Sequence, residues 1–160
     1  MVSFFIVIFV LRNKIKYKNK IDIYKYLGKW YEIATIPHGF QYGMKNVTAE
    51  YSLNENGTIK VVNSGYLDGE LKQITGVAKI TDSNDILKVS FYPNTYSDYK
   101  ILAVVVGSDG KYEHALVGGE TKYSLWVLSR NPDMNKSTFD RFVDIAKKYD
   151  YKVDKLKITD

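Results

Sequence analysis

Gly28-Lys29-Trp30-Tyr31-Glu32 opens the first long segment in which side chains alternate with a period of two, and Leu128-Ser129-Arg130 ends the last one. Between them, short runs rich in β-branched and aromatic residues are separated by Gly, Asn and Asp. Alternation of apolar and polar side chains is typical of a β-strand with one buried face. Asn-Gly or Asp-Gly between two such runs, as at 56–57 and 68–69, predicts a hairpin turn. The segment therefore predicts an antiparallel β domain.

The alternation predicts eight strands, each joined to the next by a short connection. They are expected at 29–36, 47–53, 58–66, 70–81, 86–92, 98–106, 111–118 and 123–130, with a loop at 93–97. Such connections build an up-and-down sheet, and eight strands can close into a barrel that holds one small ligand. A two-sheet sandwich is the alternative, but sandwiches need longer crossovers between sheets. The predicted fold class is all-β, an eight-stranded antiparallel up-and-down β-barrel.

A helix is predicted after the last strand, because the apolar period changes after 131–133. The apolar positions of this stretch are Phe139, Phe142, Val143, Ala146 and Tyr149. Charged residues occupy most of the other positions, so the helix carries one apolar stripe. A stripe of this kind must pack on something, and the outside of the barrel is the available surface. The residues 22–27 could add a short helical turn, and 156–158 a short final strand.

The chain divides into two parts by composition, and its 160 residues fit one folded domain. Residues 1–21 form an apolar and then basic leader, and residues 22–160 form the barrel domain. The apolar run at 2–11 suits a signal-peptide core, although a basic segment before it and a small-residue cleavage site after it are missing. We interpret the leader as a degenerate signal or membrane-proximal segment. A hydrophobic tail, a misassigned start and a solvated arm remain alternatives.

Charge and cysteine content exclude several classes of function. Seven basic residues and one acidic residue lie in 1–29, whereas the rest of the chain is close to neutral. A near-neutral body argues against a nucleic-acid partner, while the basic leader could contact an anionic membrane surface. The chain has no Cys, which excludes disulfides, thiol nucleophiles and thiolate metal sites. We expect no cofactor, no metal site and no enzymatic activity, because the catalytic motifs with a known mechanism are missing. Glu32 could face the lumen, but one carboxylate lacks the partner that acid–base catalysis requires.

Five blocks of the sequence resemble the lipocalin family, in particular its bacterial lipocalin and apolipoprotein D branch. They are the stretches 28–34, 46–51, 88–91, 112–117 and 125–130, in order and at the family's spacing. The match extends from about Tyr24 to the end of the chain. Gly-x-Trp alone is weak evidence, whereas five ordered blocks are specific. The resemblance implies a barrel whose lumen takes a small hydrophobic ligand.

Three residues carry the structural signature that the resemblance implies. Gly28 lets the chain turn tightly into the barrel, Trp30 plugs its closed end, and the Arg130 guanidinium lies across the indole. A contact of this kind between a cation and an aromatic ring is worth ~0.5–2 kcal/mol. We therefore expect these residues to support the fold and not to bind the ligand.

The expected ligand contacts come from alternation and from the resemblance. Trp126 has the same parity as Leu128 and Arg130, so it points into the lumen nearer the mouth, as in the resembling bacterial proteins. Tyr96 corresponds by alignment to a pocket tyrosine in the loop before the sixth strand, where its phenol could meet a polar headgroup. The remaining expected contacts, inward by alternation, are Tyr51, Phe91, Val89 and His114. Core packing for Trp126 and an exposed loop position for Tyr96 are the alternatives.

The expected function is to bind and carry or store small hydrophobic ligands, such as fatty acids or lysophospholipids, in the lumen, with a role in membrane maintenance. A cell-surface interaction protein with a side-chain-filled barrel and a small lumenal enzyme are the alternatives. We expect an extracytoplasmic protein, secreted or membrane-associated, that is not anchored by a lipidated cysteine. Glycosylation at the sequons Asn46, Asn56 and Asn135 and the oligomeric state stay open.

Overall fold

The computed structural model describes residues 14–17 and 21–160. The strands are β1 (Lys14–Tyr17), β2 (Gly28–Thr35), β3 (Lys45–Leu53), β4 (Ile59–Leu67), β5 (Glu70–Ile80), β6 (Ile86–Tyr92), β7 (Thr95–Val106), β8 (Tyr112–Gly118), β9 (Leu125–Ser129) and β10 (Lys157–Ile158). The helices are α1 (Ile23–Tyr26) and α2 (Lys136–Lys148), and short 3-10 turns lie at Gly39–Gln41 and Val153–Lys155.

Strands β2 to β9 form a closed antiparallel barrel. Each strand pairs with the next along the chain, and the circuit closes because β9 also pairs with β2, with Thr35 opposite Trp126. Closure gives every strand a hydrogen-bonding neighbour on both sides, so the barrel has no long exposed edge. The predicted eight-stranded up-and-down barrel is confirmed, and the sandwich alternative is wrong.

The predicted loop at 93–97 is wrong, because β7 already begins at Thr95. Tyr92 pairs directly with Thr95, so only Pro93 and Asn94 connect the two strands. Asn94 has a φ of 60°, which a tight hairpin requires and which Asn tolerates better than most residues. Pro93 suggested a loop of five residues, whereas two residues are enough to join the strands.

The helix α1 covers one end of the barrel. The side chain of Asp22 caps it by accepting a hydrogen bond from the backbone N–H of Tyr24 at 3.0 Å. The backbone N–H of Asp22 donates to the Tyr112 hydroxyl at 2.8 Å, which ties the helix to β8. Ile23 and Tyr26 point into the barrel and are buried. This end of the barrel is therefore closed.

Strand β1 lies within the segment that we assigned to the leader. It pairs antiparallel with β7, with Lys14 opposite Val106 and Tyr17 opposite Ala103. This part of β7 is open to a partner because β6 pairs with β7 only as far as Lys100. The rest of the predicted leader, including the apolar run at 2–11, lies outside the described residues, and its boundary stays a prediction.

The segment 157–160 fills a gap in the barrel wall between β2 and β3. These two strands pair with each other only as far as Tyr31. Beyond that point Ile158 pairs with Ala34 of β2. On the other side, the backbone N–H of Asn46 donates to the Asp160 carbonyl at 2.6 Å. Residues from the end of the chain thus complete the wall beside the lumen.

The helix α2 packs on the outside of the barrel, as predicted. Its buried side chains are Phe142, Ile145 and Ala146. They belong to one apolar cluster with outward-facing residues of β7, β8 and β9, including Val105, Leu116, Leu125 and Val127. Since these outer positions are apolar, the helix shields a face of the barrel that would otherwise meet water.

We expect the replacement of Asn135 by alanine to lower the free energy of unfolding by about 1 kcal/mol. The Asn135 side chain caps α2 by accepting a hydrogen bond from the backbone N–H of Thr138 at 2.8 Å. Urea denaturation would measure the loss. Asn131→Ala is the matched control, because Asn131 is exposed and lies outside the helix. Equal losses in the two variants would contradict a capping role.

Candidate ligand-binding cavity

The closed end of the barrel is built around Trp30 and Arg130. Trp30 is completely buried, and its indole N–H donates to the Tyr26 carbonyl at 2.8 Å. The Arg130 guanidinium carbon lies 3.7 Å from the centroid of the Trp30 ring. Gly28 has a φ of 99°, and a Cβ at this position would lie 3.2 Å from Arg130 Nη1. A glycine is needed here because the chain turns in a left-handed conformation directly against the guanidinium.

Three tyrosines form a hydrogen-bonded floor above the closed end. The Tyr99 hydroxyl lies 2.6 Å from the Tyr26 hydroxyl and 2.8 Å from the Tyr51 hydroxyl. The Tyr26 and Tyr51 rings meet edge to face with centroids 5.4 Å apart. Burial raises the pKa of all three phenols, that of Tyr51 to about 12. The trio therefore stays neutral at physiological pH and satisfies polar groups that the barrel interior would otherwise leave unpaired.

We expect the protein to lose stability between pH 10 and pH 12. The Tyr51 pKa of about 12 in the folded state lies above the ordinary tyrosine value of about 10. In this window the unfolded chain binds fewer protons than the folded chain, so stability falls as the pH rises, by roughly 1.4 kcal/mol per pH unit from this group. Urea denaturation across the window would measure the slope. Because the pKa values of Tyr26 and Tyr99 are raised as well, Tyr51→Phe should make the slope shallower without removing it. Tyr24→Phe, at an exposed site, should leave the slope unchanged; an unchanged slope in Tyr51→Phe would contradict the assignment.

A cavity of about 270 Å³ lies above this floor and opens at the other end of the barrel. Loops and hairpins joining β2 to β3 and β6 to β7 lie at the open end, because consecutive strands reverse direction. The lining residues are Glu32, His38, Gln41, Val47, Thr48, Ala49, Tyr51, Val61, Asn63, Val89, Phe91, Tyr92, Thr95, Ser97, Asp98, Tyr99, Trp126 and Leu128. Ten of these eighteen residues are apolar or aromatic, and the other eight are polar. This composition is typical of a small-molecule site.

A second cavity of about 330 Å³ adjoins the first. The two share Gln41, Val47, Asn63 and Tyr92, and the second extends towards Met44 and Ile74. The two cavities therefore lie side by side along these shared residues.

Four of the six predicted contact residues line the cavity, namely Trp126, Tyr51, Phe91 and Val89. Trp126 stacks on Tyr99, with ring centroids 6.4 Å apart and planes inclined by 24°. The His38 ring meets the Trp126 ring edge-on at 5.9 Å. Trp126 is therefore held between an aromatic of the barrel wall and one of the mouth loop.

Tyr96 does not line the cavity. Tyr96 lies in β7 between Thr95 and Ser97, which both line the cavity. Because side chains alternate along a strand, the Tyr96 side chain points to the outside of the barrel. There its ring is covered by Lys79, whose Nζ lies 4.3 Å from the ring centroid. The prediction that Tyr96 meets the headgroup from a rim loop is wrong, because the residue belongs to a strand.

His114 does not line the cavity either. The pairing of β7 with β8 shifts between Val105 and Val106, so Tyr112 faces the interior while His114 faces outward. Its Nδ1 lies 2.9 Å from the Ser129 hydroxyl, on the side of the barrel that α2 covers. Burial lowers the pKa of this imidazole. The prediction of an inward His114 is wrong, because a β-bulge reverses the alternation.

The sequence reasoning missed several residues of the cavity, among them Tyr99, His38 and Gln41. Tyr99 shares its parity with Thr95 and Ser97, so an earlier start of the strand would have assigned it to the lumen. His38 and Gln41 belong to the loop after β2, where no periodicity tells which side chains turn inward. Only the folded barrel brings that loop over the mouth.

Glu32 lies in the wall of the cavity, as the sequence suggested. Its Oε1 accepts a hydrogen bond from the Thr159 hydroxyl at 2.6 Å, across the seam that the segment 157–160 fills. Burial raises the pKa of this carboxyl group. Within the described residues, no group of three or more His, Cys, Asp or Glu is placed to hold a metal ion.

Neither helix is both long and apolar enough to cross a membrane, as far as the chain is described. A closed antiparallel barrel with one plugged end and an aromatic cavity at the other defines a class of protein that receives small apolar molecules in its lumen.

Comparison with known proteins specifies this class further. The family model of the lipocalin-like domain matches residues 21–160. The chain is 42% identical to the outer membrane lipoprotein Blc of Citrobacter freundii over 142 residues, which cover 86% of this chain and 78% of that protein. It is 35% identical to bovine apolipoprotein D over 155 residues, which cover 89% of this chain and 78% of that protein. The chain belongs to the lipocalin family, whose members are binding and transport proteins for small hydrophobic ligands.

The fold of the chain matches solved structures with low sequence identity. The cockroach allergen Per a 4 aligns with a TM-score of 0.68 and 20% identity, over 91% of this chain and 90% of that one. At this identity the likeness concerns the fold alone.

Proposed function

We propose that this lipocalin binds and carries single-chain amphiphiles, the class that contains fatty acids and lysophospholipids. The observation that carries the proposal is the aromatic cavity above the tyrosine floor, with Trp126 in its wall. The volume of about 270 Å³ lies just below the ~300–1,000 Å³ range of small-molecule sites. A single acyl chain suits such a space better than a two-chain lipid.

The relatives and the cavity chemistry support a carrier role and an extracytoplasmic location. Blc is named as an outer membrane lipoprotein. By extension, we propose that this protein also associates with membranes. An enzymatic role finds little support, because the two acidic residues of the cavity do not form an acid–base pair. Asp98 is bound to Lys88 and Lys100, whereas Glu32 is bound to Thr159.

We expect the affinity for fatty acids to rise roughly fourfold with each added methylene until the cavity is full. A buried methylene contributes about 0.8 kcal/mol, and 1.4 kcal/mol corresponds to a factor of ten. Titration calorimetry with a homologous series would measure the increments. No binding at any chain length, for the fatty acids and for the uncharged alcohols of the same lengths, would refute the carrier function.

The variant Ala49→Phe should weaken this binding, because Ala49 lines the cavity and a larger side chain would fill part of it. Ser52→Phe is the matched control, since Ser52 lies on the same strand at an exposed position. Tryptophan emission gives a second readout, because Trp126 lines the cavity and Trp30 is buried at the closed end. Equal binding by the two variants would show that the ligand sits elsewhere.

A further inference from the structure

Among the described residues, the wall of the cavity of about 270 Å³ contains two acidic side chains and no Lys or Arg. Of its two acidic residues, Asp98 lies against Lys88 and within 3.7 Å of Lys100. Glu32 is left as the acid without a basic partner, and its described contact is the hydrogen bond from Thr159. In the described part of the chain, neither Lys nor Arg lines the cavity of about 270 Å³. Lys72 lines the neighbouring cavity, where it is paired with Glu70 at 2.7 Å. A negatively charged ligand group placed beside Glu32 would therefore have no cation from the wall of the first cavity to balance it.

Glu32 lies deeper in the barrel than Trp126. Along β2 and β9, Glu32 is opposite Leu128, whereas Thr35, nearer the mouth, is opposite Trp126. Glu32 is therefore nearer the closed end along the strand than Trp126, and both residues line the same cavity. Burial of an unpaired carboxylate is unfavourable, so a cation arriving from the ligand would recover part of this cost. Aromatic faces also attract a cation that has lost its water.

Two further acceptors surround the same space. Gln41 Oε1 and Asn63 Oδ1 are buried without a hydrogen-bond donor, although both residues line the cavity. A buried acceptor without a partner costs about 1–3 kcal/mol. An N–H group of a ligand could donate to either oxygen as it stands, whereas a carboxylate could pair with these side chains only after the amide rotates and presents its NH2 group.

We propose that the preferred ligand of this cavity is a single-chain amphiphile whose polar end is a protonated amine, with the ammonium group at Glu32 and the chain directed to the mouth. This inference rests on the proposed carrier function and specifies its ligand. An ammonium group has three N–H donors. Glu32 can accept from it beside Thr159, because a carboxylate has about four acceptor sites. The neighbouring cavity towards Met44 and Ile74 provides space for the far end of the chain.

The test compares three probes with the same chain length, namely decylamine, decanol and decanoate, by titration calorimetry at neutral pH. For the unmodified protein we expect decylamine to bind roughly 10- to 100-fold more tightly than decanol, the range for a hydrogen bond to a charged group. Decanoate has no N–H donor for Glu32, so it should show no gain over decanol. Glu32→Gln keeps the size of the side chain and its acceptor for Thr159, and should reduce decylamine affinity to that of decanol.

Glu50→Gln is the matched control, because it makes the same change of charge at an exposed position of β3. It should leave the preference for decylamine unchanged. If Glu32→Gln binds decanol as the unmodified protein does, its cavity is intact. The comparison of the three probes in the unmodified protein does not depend on any variant. Equal binding of all three probes would overturn the amine preference and leave the carrier function standing. No binding of any probe would overturn both, and equal losses in the two variants would show that Glu32 makes no direct contact.

Discussion

Arg130→Ala is expected to lower the free energy of unfolding by about 3–5 kcal/mol, because it removes several hydrogen bonds to a charged group, each worth about 1.5–3 kcal/mol when buried, and the contact with the Trp30 ring. The loss stays below the sum of these contributions because Arg130 is only half-buried. The guanidinium donates to five backbone carbonyls. Nη1 donates to Lys29 at 2.8 Å, and Nη2 makes its shortest bond to Leu27, at 2.7 Å. Four of these carbonyls belong to the chain that leaves α1 and enters β2, and the fifth is that of Tyr112 in β8. Without the arginine they would lose their shared donor, and the closed end would lose the bond that links it to β9.

Arg130→Lys should recover little of this loss, because an ammonium group cannot reproduce the planar fork of the guanidinium. Arg141→Ala is the matched control, since Arg141 is exposed on α2, and we expect a change within about 0.5 kcal/mol. Urea denaturation measures the three variants. A fully stable Arg130→Ala protein would refute the assignment, as would one that folds normally and selectively loses ligand.

Trp30→Ala is expected to cost about 3–5 kcal/mol as well, because it leaves a large void in a packed interior. Trp30 is the largest of the completely buried side chains. Its ring lies 5.0 Å from that of Tyr26 and supports the side chain that anchors the tyrosine floor. The loss should therefore extend from the closed end to the floor of the cavity.

Trp30→Phe separates the contribution of the buried ring from that of the indole N–H. It keeps most of the ring and removes the N–H that donates to the Tyr26 carbonyl, so we expect a smaller loss of about 1–3 kcal/mol. Tyr24→Ala, at a residue that is 63% exposed, is the control for removing an aromatic side chain near this end. If Trp30→Ala and Tyr24→Ala were equally stable, Trp30 would not be the plug of the barrel.

Most of the fold could be predicted because its signals are local. Alternation marked the strands, and turn residues marked the hairpins between them. Next-neighbour connections then left few ways to arrange eight strands. The residues of the closed end followed from the family resemblance, and the structure places Trp30 and Arg130 in contact there.

The cavity was predicted less well, because the lining depends on where alternation is interrupted. Trp126, Tyr51, Phe91 and Val89 lie on regular stretches and point as alternation requires. His114 follows a bulge, and Tyr96 belongs to a strand that began before its expected start. A single shift in register moves a side chain from one face of a sheet to the other.

The sequence by itself determined an eight-stranded barrel, because short-range alternation and turn chemistry are properties of neighbouring residues, and the resemblance to the lipocalin family implied that Gly28, Trp30 and Arg130 lie at its closed end. Only the tertiary structure decided which polar groups share the lumen. The contact of Glu32 with Thr159 and the contact of His38 with Trp126 join residues that are distant along the chain. Such contacts depend on the closure of β9 onto β2 and on the insertion of 157–160 into the wall, and no local pattern encodes either.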